Sequence, residues 1–242
     1  MKMFAQKIIA AGVGVFLLTG VPVYGDILYN NTTTDLGRSL NFNNGQAIGN
    51  QIIMGNGFTS ATVTNFSFEI YSTLAAFAGT SVQMQVFLFS NNGALTNGFA
   101  MPGTVPLYNS GSFALLTPQQ YLGAGNNVAT LNFDLSLTPI SVVNSNFTLA
   151  AVVTGMFTGD SVGMELFNPA TVGLNYNDYW VQNASGSWAL MTNSAAPTTD
   201  FGARFNGTGV PEPSTLGLSV VGASLLIGSF WLRRRQNQSR QG

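Results

Sequence analysis

Apolar and polar residues alternate with a period of two along several short segments of this chain. In residues 62–71, Phe66 and Ile70 fall on one face, and polar residues lie between the apolar ones. Residues 128–136 alternate in the same way, whereas residues 82–89 are apolar at nearly every position. Alternation predicts a strand with one buried face, and a short apolar run predicts a strand that is covered on both faces. No window before the C-terminal segment indicates an amphipathic helix.

The remainder of the central region reads in the same way. Further strands are predicted at 147–153, 161–168, 178–182, 187–191 and 200–206. Asn-Gly pairs, which favour tight hairpin turns, occur at 44–45, 56–57, 92–93, 97–98 and 206–207. The stretch 91–127 is less regular, and we expect one strand pair near 105–115 and a long loop at 117–127. Many short strands with such turns predict an all-β fold, an antiparallel β-sandwich or jelly roll.

The N-terminus has the pattern of a secretory signal. Lys2 and Lys7 supply positive charge, residues 8–21 are mostly apolar, and residues 23–25 offer small side chains at the two positions that a signal peptidase requires. We therefore predict a signal peptide at 1–25 that is cleaved after Gly25. This helical segment would direct the chain out of the cytoplasm.

The C-terminus has three parts in a fixed order. A short acidic motif consists of Val210, Pro211, Glu212 and Pro213. The 18 residues from 215 to 232 carry no charge, enough for a membrane-spanning helix, and three arginines follow, Arg233, Arg234 and Arg235. Two prolines so close together exclude a helix at the motif. We predict a linker at 207–215, a transmembrane helix at 216–232 and a basic cytoplasmic tail at 233–242.

This tail resembles the PEP-CTERM sorting signal of exported bacterial proteins. The resemblance covers Val210 to Arg235 and implies that an exosortase, a membrane-embedded protease, recognises and processes the tail. It implies that the chain is a substrate of such an enzyme. The domain in front, from the Ile27–Asn31 segment to the Tyr179-Trp180 pair, resembles the choice-of-anchor exported domains. That second resemblance implies a β-sandwich at 26–206 and says little about activity.

Composition excludes several functions. The chain has no cysteine and no histidine, which removes disulfides, thiol and His-based catalysis and His-based zinc sites. Only 7% of the residues are charged, against about 25% in a typical soluble protein. Arg38 and Arg204 are the only basic residues between 26 and 209, so no basic patch for nucleic acid exists. We expect no cofactor.

Three kinds of site remain open. Glu69, Asp134 and Glu165 lie on strand faces opposite the apolar residues, either as solvated charges or as an acid–base pair of a glycosidase. Asn175, Asn177 and Asp178 form a predicted loop of oxygen donors, either for Ca²⁺ or as ordinary turn residues.

The third set is aromatic. It consists of Tyr176, Tyr179, Trp180 and Trp188. These rings would stack on sugar if exposed together, or would pack in the core. The sequence favours a non-enzymatic surface or matrix protein among exopolysaccharide, anchored in the inner membrane before processing and exposed at the cell surface or released afterwards. A carbohydrate-binding module is the alternative, and a carboxylate-based glycosidase is a third class.

Overall fold

The computed structural model describes residues 25–73, 82–115, 127–183, 185–192 and 200–211. Within these ranges the chain forms fourteen strands. They are β1 Asp26–Asn31, β2 Asp35–Asn41, β3 Ala47–Ile53, β4 Phe58–Ser72, β5 Gln83–Thr96, β6 Phe99–Asn109, β7 Phe113–Ala114, β8 Val128–Asp134, β9 Ile140–Val142, β10 Asn146–Thr154, β11 Val162–Phe167, β12 Leu174–Gln182, β13 Trp188–Met191 and β14 Ala203–Pro211. No helix in these ranges is long and apolar enough to span a membrane. The predicted signal peptide, apart from Gly25, and the predicted transmembrane helix lie outside them.

The strands form two antiparallel sheets that share one core. The first sheet has the order β1-β14-β4-β11-β2, in which β14 and β11 pair with successive parts of one edge of β4. Strands β8 and β9 pair with the opposite edge of β4. The second has the order β13-β12-β3-β10-β5-β6, with β7 also paired to β5. The predicted all-β antiparallel fold is confirmed, and the two-sheet arrangement is consistent with the predicted sandwich.

Strand β4 is the centre of the first sheet because its sequence alternates over fifteen residues. Val63, Phe66, Phe68 and Ile70 are buried on the inner face, and polar residues occupy the outer face between them. One edge of β4 pairs with β14 and then β11, and the other pairs with β9 and then β8. Four strands therefore depend on this one for their hydrogen bonds.

A row of stacked aromatic rings crosses the inner face of this sheet. Phe66 stacks on Phe133 of β8 at a centroid distance of 4.6 Å and on Phe205 of β14 at 5.2 Å. The second sheet closes on the row through Phe147, whose ring meets Phe205 edge-on at 4.8 Å, and Tyr108, which meets Phe66 at 5.6 Å. The row thus joins three strands of one sheet to the other sheet.

Most predicted strands are confirmed, and the predicted hairpin between 178–182 and 187–191 pairs Gln182 with Trp188. The prediction of an irregular stretch from residue 91 onward needs correction. In residues 91–109, β5 and β6 form a long hairpin that turns at Asn97-Gly98. The predicted loop at 117–127 lies outside the described residues except for Asn127.

The Asn-Gly pairs divide into two groups. Asn56 and Gly57, and likewise Asn97 and Gly98, have positive φ and form tight turns as predicted. Asn44 and Gly45 also form a turn, in which Gly45 has positive φ. The pairs at 92–93 and 206–207 lie inside strands β5 and β14, so their prediction as turns is wrong. At Gly207 the reason is space, because a Cβ there would collide with the backbone of Thr62 on the paired strand.

The end of the domain also needs correction. The sequence predicted that the sandwich ends at residue 206 and that a linker covers 207–215. Strand β14 instead runs to Pro211, and Gly207 to Pro211 pair with β4 as far as Phe58. The last hydrogen-bonded strand therefore includes the first two residues of the predicted sorting motif.

The aromatic row yields a stability prediction. Replacement of Phe66 by Ala should lower the free energy of unfolding by about 3–5 kcal/mol, because it removes a fully buried ring that packs against three others. Urea unfolding of the variant and the wild type measures the difference. Phe157→Ala is the matched control, since that ring is 62% exposed and its loss should cost less than about 0.5 kcal/mol. Equal losses in the two variants would contradict the assignment.

Candidate functional site

A pocket opens on the outer face of the first sheet, where strands β2, β11, β4 and β8 lie side by side. Its volume is about 400 Å³. Its lining residues are Asp35, Gly37, Arg38, Ser39, Tyr71, Val128 and Glu165. Strand β2 forms the outer wall and pairs only with β11, so the pocket lies near the edge of the sheet.

Backbone pairing brings the acidic residues together. Glu165 lies opposite Ser39 of the edge strand. The backbone of Gly202 links Glu165 to Glu69, since its N–H donates to the Glu165 carbonyl at 2.9 Å and its carbonyl accepts from the Glu69 N–H at 2.8 Å. The Phe167 ring covers Gly202, where a Cβ would collide with it. An apolar ring therefore lies beside two carboxylates that face the same side of the sheet.

The carboxyl group of Asp35 lies close enough to that of Glu165 to affect its protonation. Two carboxyl groups in contact are stable only while one of them carries a proton, because two adjacent negative charges repel. Burial, the charge and hydrogen bond of Asp35 and the charge of Glu69 together raise the pKa of Glu165 to about 7, against a smaller opposing effect of the Arg38 backbone N–H. Burial and the charge of Asp35 also raise the pKa of Glu69.

Glu165 is the most unusual group in the pocket. Its side chain is only 3% exposed, and its Oε2 atom accepts no hydrogen bond. A buried acceptor without a partner costs roughly 1–3 kcal/mol, and more when it is charged. No other group of the pocket donates a hydrogen bond to this atom, although Arg38 and Tyr71 also line the pocket.

Local turn geometry holds Asp35 in place. The Gly37 N–H donates to Asp35 Oδ1 at 2.7 Å, and Gly37 has a φ of +61°, which a residue with a Cβ adopts only with strain. Ser39 on the same strand donates to Asn41 Oδ1 at 3.1 Å. The start of β2 is thus shaped so that the Asp35 carboxyl group meets Glu165.

Of the three carboxylates named from sequence, two lie near each other and one lies apart. Glu69 and Glu165 are neighbours through Gly202. Asp134 lies at the end of β8 and accepts from the Ser136 N–H at 2.9 Å, a bond that lowers the pKa of Asp134. Sequence reasoning missed Asp35 as the partner of Glu165. The interpretation of Glu165 as a solvated charge is wrong, because its side chain is only 3% exposed beneath the pairing of β11 with β2.

The aromatic set does not form one exposed platform. Trp180 is 1% exposed and Trp188 is buried, and both belong to a small apolar cluster on the outer face of the second sheet with Phe89. The Trp188 and Phe89 rings meet edge-on at 5.4 Å. Tyr176 is exposed and contacts Phe99, and Tyr179 is half-buried. Stacking of sugar on the two tryptophans is therefore contradicted, since neither presents a free ring face.

The predicted calcium loop is also corrected. The predicted loop residues Asn175, Asn177 and Asp178 lie within strand β12. The pairing with β3 is irregular there, since Asn175 pairs with Ile52 and Tyr179 with Asn50. Across the described ranges, no three acidic, histidine or cysteine side chains are grouped so that they could hold a metal ion.

The sorting motif is divided between described and undescribed residues. Val210 and Pro211 end strand β14, and the Thr59 hydroxyl donates to the Val210 carbonyl at 3.2 Å. Glu212, Pro213 and the three arginines Arg233, Arg234 and Arg235 lie outside the described residues. The described part of the motif is therefore fixed to the sheet at its N-terminal side.

Comparison of the chain with known protein families and with curated proteins finds no match.

The carboxyl pair predicts a pH dependence of stability. The pKa of Glu165 is raised on folding from 4.5 to about 7, so the folded chain holds this proton more tightly than the unfolded chain. The free energy of unfolding should therefore be highest below about pH 4.5, fall by roughly 1–3 kcal/mol as the pH rises to about 7, and then level off. Urea unfolding at a series of pH values measures this, and Glu165→Gln should remove most of the fall.

Asp134→Asn is the matched control for this prediction. Because the pKa of Asp134 is lowered on folding, its contribution to stability is lost only as the pH falls through the acidic range. The Asp134→Asn variant should therefore keep the fall in the free energy of unfolding between pH 4.5 and 7. An unchanged slope in Glu165→Gln would show that another group is responsible.

Proposed function

We propose that this chain is an exported β-sandwich protein that an exosortase sorts through a PEP-CTERM-like tail, with a structural or adhesive role among extracellular polysaccharide. In this proposal it is not an enzyme. A signal helix precedes the sandwich and a transmembrane helix follows it. The helix anchors the chain in the inner membrane until processing, after which the domain lies at the cell surface or outside the cell.

The single observation that best supports this proposal is the position of the two ends. Strand β1 begins at Asp26, directly after the predicted signal cleavage site, and Asp26 pairs with Gly207 of β14. The Gly209 N–H also donates to Asp26 Oδ2 at 3.5 Å. Because the ends of the domain are neighbours in one sheet, both predicted membrane-directed segments leave the sandwich from adjoining strands. A domain held by either end would therefore face the membrane with the same edge.

The composition of the domain supports a role outside the cell. Its polar residues are mostly Asn, Ser, Thr and Gln with few charges, and such groups exchange hydrogen bonds readily with neutral polysaccharide. The chain has no cysteine, so no disulfide contributes to its stability, and one apolar core joins both sheets.

The proposal predicts two cuts whose positions are limited by the sheet. The exported protein should begin at Asp26 and should end at Pro211 or a few residues beyond it. A cut before Pro211 would remove residues that pair with β4 and would be resisted by the folded sheet. Intact-mass measurement of the protein from cells that contain an exosortase tests both ends.

Two variants distinguish an effect on processing of the tail from an effect on the folded domain. Pro213→Ala should block the second cut while leaving β14 intact, and Gln236→Ala in the basic tail should be processed normally. Full-length protein that persists in the membranes of exosortase-containing cells, or a product that ends before residue 207, would refute the proposal.

A further inference from the structure

Strand β8 (Val128–Asp134) leaves one of its two edges open. Among the described residues it pairs only with β4, and its seven residues keep one register without a bulge. An unpaired strand edge presents a row of N–H and C=O groups that can bond to a further strand. The open edge of β8 is therefore a place where another polypeptide can extend the first sheet.

The hydrogen bonds at the two ends of β8 show which of its backbone groups are free. The Ser72 N–H donates to the Asn127 carbonyl at 2.7 Å, and the Leu135 N–H donates to the Thr64 carbonyl at 2.8 Å. Backbone groups point alternately to the two sides of an antiparallel strand, so the odd-numbered residues from 127 to 135 face β4. The N–H and C=O groups of the even-numbered residues from 128 to 134 therefore face the open edge, and no described backbone group bonds them.

The other described sheet edges carry features that hinder such pairing. Prolines, charges, bulges and short length are the usual protection of an edge strand. Strand β6 contains Pro102 and Pro106 and pairs irregularly with β5, β2 contains two charged residues, and β7, β9 and β13 have four residues or fewer. The outer side of β1 is already bonded at Asn30. Strand β8 has no proline, glycine or bulge, and its only charged residue, Asp134, is its last.

An apolar groove lies along the same edge. It has a volume of about 420 Å³ and is lined by Phe113, Thr130, Leu131, Asn132 and Phe133. The ring centroids of Phe113 in the second sheet and Phe133 in β8 are 6.1 Å apart, so the groove lies where the two sheets meet at the side of the sandwich. A backbone hydrogen bond that replaces one to water contributes little by itself, whereas burial of apolar surface is favourable. A strand added at β8 gains from both, because it also covers the groove.

The sequence of β8 is complementary to a second copy of itself. Two antiparallel copies that pair over the whole strand have a twofold axis at Leu131, so residue 130 faces residue 132 of the other copy and residue 128 faces residue 134. These pairs place Thr130 against Asn132, two neutral side chains that can hydrogen-bond each other, and Asp134 against Val128. No two like charges meet, and the residues that exchange backbone hydrogen bonds are the even-numbered ones that face the open edge.

We propose that β8 pairs antiparallel with β8 of a second copy of this chain, which joins the two first sheets into one continuous sheet across a twofold axis at Leu131. Because the backbone groups of Leu131 face β4, the two Leu131 residues form a non-hydrogen-bonded pair with Cα atoms about 4.5 Å apart. Each copy brings its Leu131 next to the apolar groove of the other. The resulting dimer does not depend on the proposed processing of the tail.

Single cysteines test the pairing, because the natural chain has none. Leu131→Cys in the full-length chain, purified in detergent and oxidised, should form a disulfide-linked dimer, since Cα atoms about 4.5 Å apart suit a disulfide. Asn41→Cys on the edge strand β2 is the matched control and should remain monomeric on a non-reducing gel. Absence of a Leu131→Cys dimer, or equal yields from both variants, would overturn the proposal. Dimers of Thr130→Cys or Asn132→Cys in place of Leu131→Cys would also overturn it, because they would show a different axis.

A charge at the open edge gives a second measurement that needs no cross-link. Sedimentation of the full-length wild type in detergent should give the mass of a dimer. Asn132→Lys should raise the dissociation constant of the dimer about tenfold or more, because the two lysines lie diagonally across the axis and lysine on an edge strand opposes pairing. Asn41→Lys, the same change at an exposed asparagine of β2, should leave the dissociation constant unchanged.

Circular dichroism checks that both lysine variants keep the strand content of the wild type, and Thr130→Lys repeats the test if Asn132→Lys does not fold. A monomeric wild type would contradict the proposal. So would a dimer that persists in Asn132→Lys, because another surface, such as the C-terminal apolar segment, would then hold it together. Either result would leave the two-cut prediction intact, since processing of the tail does not require β8 to be paired.

Discussion

The stack of Phe66 between Phe133 and Phe205 is the interaction on which the rest of the structure depends. It ties β8, β4 and β14 into one face, and Phe147 and Tyr108 of the opposite sheet close on the same rings. The chain has no cysteine and few charges, so neither disulfides nor a network of ion pairs is available to replace this contact. Buried apolar area, with this aromatic row at its centre, therefore holds the two sheets together.

The same arrangement determines where the chemistry of the molecule lies. Because the inner face of β4 is aromatic, its polar residues are directed outward, and Glu69 and Tyr71 reach the outer face beside β11. The edge strand β2 then adds Asp35 to Glu165. Along the same edge of β4, β14 brings the end of the domain next to its beginning. The pocket and the joined ends are thus both consequences of one long central strand.

Much of the fold was predictable from sequence because alternation is a local property. The strand at 62–71 and the hairpin around residue 186 followed from the pattern of a few adjacent residues. Strand β2 was not predictable in this way, because its sequence is mostly polar and its residues are mainly exposed. Asn206-Gly207 misled the turn prediction, since glycine there serves close approach to β4 and not a change of direction.

The candidate site was less predictable, and the reason is distance along the chain. Asp35 and Glu165 are 130 positions apart, and only the pairing of β2 with β11 brings them together. The sequence named Glu165 and Glu69 as candidates, but it could not show that Glu165 is buried in the folded chain. The prediction for the tryptophans failed for a different reason. An aromatic-rich strand has the same sequence pattern whether its rings are exposed to solvent or packed in an apolar cluster on the outer face of a sheet.

Amide hydrogen exchange tests the central role of β4 most directly. If the aromatic row holds the sheets together, the amides of β4 and of β14 from Ala203 to Asn206 should exchange only through global unfolding, with protection equal to the full free energy of unfolding. The amides of the edge strand β2 should exchange at least about tenfold faster. Exchange of β4 as fast as that of β2 would contradict the account, because the sheet would then be held together elsewhere.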